Sequence, residues 1–194
     1  MPRLPIRVYQ ESVAATPRCR DNRAMAAEAP HIDLNAQPGH AIRRLHQIAV
    51  GIFLQETAAH GITPVQYAAL QAVHNEPGLD QRSLAGRIAQ DTSTTAGVVE
   101  RLQARGWLRR EPDPADRRVR RLTLTEAGRA LLAQVVPDMQ RAQARILAPL
   151  DAAEQVQFMA LLQRLVQHNN AHSRAPAEPR RRGGAAARVR QSRP

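Results

Sequence analysis

The chain has little cysteine, few aromatics and no lysine, and each shortage closes off a class of protein. Its single cysteine, Cys19, permits no internal disulfide. That residue falls in a stretch without the structured electropositive setting that lowers a thiol pKa, so redox sensing is disfavoured. Aromatic residues make up 3% of the chain, which leaves Leu, Val, Ile and Ala to fill the interior and favours helices over a β-sandwich. No apolar run approaches the roughly 18 residues of a membrane span. The opening MPRLPIRVYQ lacks the apolar core of a signal peptide, so a soluble cytoplasmic protein is expected. The seven histidines form no HExxH motif, and no phosphate loop, GxSxG elbow or paired-carboxylate arrangement is present. An enzyme is therefore not expected, and neither a metal site nor a cofactor is implied.

Positive charge is what the chain has in excess. The formal charge is +11, carried entirely by arginine, and it points to a polyanionic partner. The excess is uneven: residues 101–121 hold eight arginines against three acids, and residues 171–194 hold seven against one.

Residues 91–128 explain the first of these clusters. Asp91 or Thr92 is placed to cap a helix whose apolar positions Ala96, Val98, Val99 and Leu102 recur at helical spacing. Gly106 ends it, with Arg101 and Arg105 in the last turns suiting the negative end of the helix dipole. Trp107 to Arg110 then read as a short strand that stops at Pro112 and Pro114. The chain returns through Val119 to Leu124 as a second strand, and Thr125 caps the next helix. Helix, hairpin and helix in this order form a winged helix.

The remaining pattern is helical. Pro38 to Gly61 reads as one helix with Ile42, Leu45, Ala49, Ile52 and Phe53 on one face. Thr63, Pro64 and Gln66 make a capping box that opens a second, with Tyr67, Leu70, Val73 and His74 on its buried side. Asp80 opens a third, carrying Leu84, Ala85 and Ile88 inward, and with the helix after Asp91 it makes a helix-turn-helix. A long helix from Thr125 carries apolar residues as far as Leu150. A last one, opened by Asp151 and Glu154, places Val156, Met159, Leu162, Leu165 and Val166 inside. The fold class expected is mainly α, an α+β winged helix-turn-helix of six helices with a two-stranded wing. Residues 1–36 form a disordered leader, in which Met25 offers a second start, and 171–194 a disordered Arg-rich tail. The domain spans 37–170, with a DNA-binding core at 63–124. Helices at 38–60 and 125–168, from both ends of the chain, bury their apolar faces in a homodimer.

Double-stranded DNA is the expected partner, and the protein is expected to be nucleoid-associated when bound to it. A helix fits the major groove, where base edges are distinguishable. Ser93, Thr94 and Thr95 at its N-terminus and Arg101 further along are the candidate contacts. In the wing loop, Arg117 and Arg118 are candidates for the minor groove. Asp116 is assigned to pair with a neighbouring arginine and fix the loop's shape.

Asp116, Arg118, Leu122, Leu124, Thr125 and Gly128 match D-x-R-x-x-x-L-x-L-T-x-x-G, the wing signature of the MarR family of bacterial transcription regulators. Over roughly residues 38–168 the chain resembles that family. The resemblance implies a homodimer, a palindromic operator, and repression relieved by a small ligand. RRLHQIAVGIF at 43–53 and TPVQYAAL at 63–70 look like the branch that controls aromatic-acid catabolism, nicotinate degradation in particular. An aromatic acid needs a ring slot and a partner for its carboxylate. His46, Tyr67, His74 and one of Arg43 or Arg44 are the groups offered. The rival readings are a non-specific architectural DNA-binding protein and a regulator of the same family that responds to oxidation or metal.

Overall fold

A computed structural model describes residues 31–114, 116, 118–173 and 175. Cys19, Met25, Arg117, most of the expected leader and nearly all of the expected tail lie outside these residues. Within the span expected as leader, Leu34–Ala36 form one 3-10 turn capped by the Asp33 side chain, which accepts from the Asn35 N–H. The chain then enters α1, Pro38–Glu56.

α1 ends five residues earlier than the periodicity predicts. Thr57, fully enclosed, donates its hydroxyl to the Phe53 carbonyl at 2.8 Å, and a short 3-10 turn follows at Ala58–His60. Gly61 closes it in the left-handed conformation. The expected capping box then opens α2, Pro64–Asn75: the Gln66 N–H reaches the Thr63 hydroxyl, and the Thr63 N–H reaches the Gln66 side chain. Leu70 and Val73 are buried as expected, Tyr67 is half-buried, and His74 is exposed, contrary to its assignment to the buried side. Its position next to Val73 turns it off the face that Leu70 and Val73 share.

α3, Gln81–Arg87, and α4, Thr92–Ala104, form the helix-turn-helix. Ala89 in the turn between them holds φ +51°, a left-handed conformation that costs an L residue of this kind roughly 1–2 kcal/mol. β1, Leu108–Pro112, pairs antiparallel with β2, Arg120–Leu124, with Arg110 opposite Leu122 and Pro112 opposite Arg120. Pro112 therefore closes the strand instead of standing beyond it. A two-stranded hairpin has free edges, where a missing N–H is tolerated. The other edge of β2 is covered by the chain before α3: the Gly78 N–H donates to the Leu122 carbonyl, and the Leu122 N–H to the Leu79 carbonyl.

α5, Glu126–Leu147, starts where Thr125 caps Gly128. A side chain at Gly128 would place Cβ 1.9 Å from the Trp107 carbonyl oxygen, so only glycine lets the helix start lie against the β1 entrance. α6, Ala152–Asn169, begins with the predicted Asp151–Glu154 box. The core gathers Phe53, Leu70, Val73, Leu84, Val98, Val99, Leu102, Leu108, Leu122, Leu132 and Val135. α6 contributes nothing to it: none of its residues is buried, and Val156 is 73% exposed. The positions expected inside α6 are thus outside the core of a single chain.

Candidate nucleic-acid interface

The first turn of α4 is organised by one carboxylate. Asp91 accepts from the Thr94 N–H at 2.8 Å, from the Ser93 hydroxyl at 2.5 Å and from the Thr94 hydroxyl at 2.6 Å. These donors hold its carboxyl far below the usual carboxylate range, the Ser93 hydroxyl first and the Thr94 hydroxyl next. Ser93 and Thr94 are exposed, and although each hydroxyl gives its proton to Asp91, its lone pairs remain free to accept. Thr95 does not join them. It is 0% exposed and donates its hydroxyl to the Asp91 carbonyl at 2.8 Å, so it faces the core with Val99 and Leu102. Arg101 is exposed two turns along the helix.

Two arginine contacts that sequence reading missed, one an ion pair and one a hydrogen bond to a carbonyl, hold this helix-turn-helix in place. Arg87 at the end of α3 grips the Glu76 carboxylate after α2, with Nη2 at 3.0 Å. Arg105, just past α4, donates to the Gly61 carbonyl at 2.7 Å and lies over the Trp107 ring, 4.7 Å from its centre. Arg105 therefore ties the end of the recognition helix to the α1–α2 corner. The same corner is bound to α5, because His60 Nε2 lies 2.9 Å from the Asp138 carboxylate. Arg141 bridges Asp138 to Glu56, and Arg145 also reaches Glu56. The hydrogen bond to His60, and then Arg141, lower the Asp138 pKa, while Arg145 is the main cause of the lowered Glu56 pKa.

The wing loop is shaped by backbone contacts. Asp116 Oδ1 accepts the Arg118 N–H at 3.0 Å, and its carbonyl accepts the Val119 N–H. Among the described residues Asp116 therefore fixes the loop through backbone N–H groups, since a short carboxylate readily reaches the N–H two residues ahead; pairing with the Arg117 side chain lies outside the described residues. Asp113, 8% exposed, pairs with the Arg121 side chain across the hairpin. Arg118 and Arg120 stand exposed on the wing.

The four residues offered to an aromatic acid do not converge in one chain. His46 lines a mostly apolar groove of about 640 Å³ between α1, α5 and α6, with Leu45, Ile146, Phe158 and Leu162 among its walls. Arg43 is exposed one turn earlier on α1, and Arg44 is exposed beside it. Tyr67 packs against Phe53, ring centres 5.9 Å apart, donates to Gln71, and borders a different groove with Glu76 and Arg87. His74 borders a third with Arg109 and Arg129. His168 and His172 are four apart but straddle the end of α6, and among the described residues no group of three or more His, Cys, Asp or Glu could hold a metal ion. No described helix is long and apolar enough to cross a membrane.

A helix-turn-helix whose second helix exposes hydroxyls and an arginine, followed by an arginine-rich wing, defines a winged-helix DNA-binding transcription regulator. The model of the MarR family matches residues 60–119, and the chain belongs to that family. It is 34% identical over 134 residues to the HTH-type transcriptional repressor NicR of Pseudomonas putida, covering 69% of this chain and 85% of NicR. The structure of Bordetella bronchiseptica BpsR, whose DNA binding is regulated by 6-hydroxynicotinic acid, is 34% identical with a TM-score of 0.67, covering 70% of this chain and 97% of BpsR. The repressor CouR, solved on a 23-mer DNA duplex, is 26% identical with a TM-score of 0.66, covering 69% of this chain and 94% of CouR.

Proposed function

We propose that the protein is a homodimeric repressor that binds a palindromic operator and leaves it when a small aromatic carboxylate, of nicotinate or benzoate type, binds. The observation that carries the reading is the contrast within one chain between a closed winged helix and open apolar faces on α1 and α6, where Ile42 is 56% and Leu165 54% exposed. A second copy is the natural cover for such faces, and a two-fold dimer presents two recognition helices to two half-sites of inverted sequence. Ser93, Thr94 and Arg101 then meet the major groove, and Arg118, with Arg117 beside it, the minor groove.

The effector reading draws on NicR and BpsR and on two neighbours of α1. Arg43 and His46 are three residues apart and so share a helix face, and the groove beside His46 is apolar. A ring in that groove, its carboxylate on Arg43 and His46, would respond to how the two copies pack. Tyr67 and His74, in separate grooves, are left out of this reading. Calorimetric titration of the purified protein with nicotinate, 6-hydroxynicotinate and benzoate, paired with competition against a labelled operator duplex, tests it. At least one acid should give saturable heat and release the duplex. No heat and no release with any of them rejects the effector class.

A further inference from the structure

The groove between the Asp80–Arg82 corner and the wing has a volume of about 390 Å³ and is lined by Arg82, Arg110, Arg118 and Arg120 against one carboxylate, Asp80. Asp80 is already engaged, accepting from the Ser83 N–H at 2.8 Å and from its hydroxyl at 3.1 Å. Arg110 differs from the other three arginines. It sits opposite Leu122 on the inner side of the hairpin, half-buried, and its Nε is shut off from solvent with no hydrogen-bond partner among the described residues. Buried N–H groups are rarely left without a partner, and a cation held that way among other cations calls for an anion. Nearby carboxylates are committed elsewhere: Asp113 to Arg121, and Glu111 to Arg109 at 3.2 Å.

We propose that this groove seats a phosphate group, and that the group is a backbone phosphate of bound DNA, with Arg110 and Arg82 as its positioning residues. The groove is bounded by the first helix of the helix-turn-helix and by the wing, so a phosphate held there fixes the duplex between the two elements that read it. Such a contact carries no sequence information but sets register. The proposal rests on the DNA-binding reading of the wing and adds residues outside the wing tip and outside α4.

The test is the salt dependence of binding by Arg110→Met and Arg82→Gln, measured with a preferred duplex and with an unrelated one. Each lost phosphate contact should flatten the slope of log affinity against log salt by about 0.9, equivalent to about eightfold weaker binding at 0.1 M salt relative to 1 M. The loss should be the same on both duplexes. The Arg110→Met melting temperature should not fall; if that variant does not fold, Arg82→Gln, altered at an exposed position, gives the same reading. An unchanged slope overturns the proposal, and so does a loss confined to the preferred duplex, which would mark a base contact. A melting temperature that inorganic phosphate raises in the wild type but not in Arg110→Met, with the DNA slope unchanged, assigns the groove to a free anion and also overturns it. Should the wild type show no preferred duplex, the operator reading fails, while the unrelated duplex still decides this one.

Discussion

The winged helix and the helical end of the molecule are built from similar aliphatic residues but close their cores differently. Between Ile62 and Leu124 the apolar positions turn inward and are covered by the same chain: Leu70, Leu84, Leu102 and Leu122 have no accessible surface. α1 and α6 carry equally apolar positions that stay open. One region is closed within the single chain; the other is the face that the proposed dimer would cover. The contrast follows from packing, because α1 lies on α5 along one side with its outer face open, and no residue of α6 is buried.

Substitutions can break that contrast. Replacing Leu102 by Ala should cost about 2–5 kcal/mol of unfolding free energy, since the void lies at the centre of a closed core. The cost, read by denaturant titration, should appear before any change in association. Leu165→Glu should do the reverse, removing about 1.5–3 kcal/mol of apolar burial per chain from the dimer. Sedimentation should then show monomers whose winged helix is still folded, and an unaltered dimer would refute the assignment of that face. Asp91→Ala should cost about 1 kcal/mol through loss of the α4 cap. Because it also frees Ser93 and Thr94, DNA affinity should fall beyond what the stability loss explains. Arg118→Ala is the counterpart, weakening DNA binding with the melting temperature unchanged.

The smallest effect lies where the two regions join. Asp138 titrates below its ordinary value of 3.8, chiefly because His60 bonds to it. Its contribution to stability is therefore present above that ordinary value and is lost as pH falls through the lowered one. Asp138→Asn should lower the melting temperature at neutral pH and converge with the wild type in acid. High salt should shrink the difference, since the network is near the surface. A constant offset down to about pH 2 would mean that the charge is irrelevant.

Sequence reading succeeded where the signal was local. The Thr63–Gln66 and Asp151–Glu154 boxes, the Asp91 cap and the left-handed Gly106 form as their residue types dictate. The wing signature acquires a physical cause at Gly128, where a Cβ has no room. Thr95 was misassigned for chemistry over period: its hydroxyl suggested DNA, yet its spacing to Val99 and Leu102 already put it on the buried face. His60 and Asp138, 78 residues apart, leave no trace in local sequence. The dispersal of His46, Tyr67 and His74 over three grooves was equally invisible, because each lay on a plausible helix face and only tertiary packing separates those faces.

The central claim is that two copies, joined through the open helices, read one duplex through two wings and two recognition helices. Selecting bound duplexes from a random library and weighing the resulting complex tests it most directly. An inverted repeat carrying two chains, retained under a large excess of unrelated DNA, is the result expected. Duplexes without a shared sequence, or one chain bound per duplex, would contradict it.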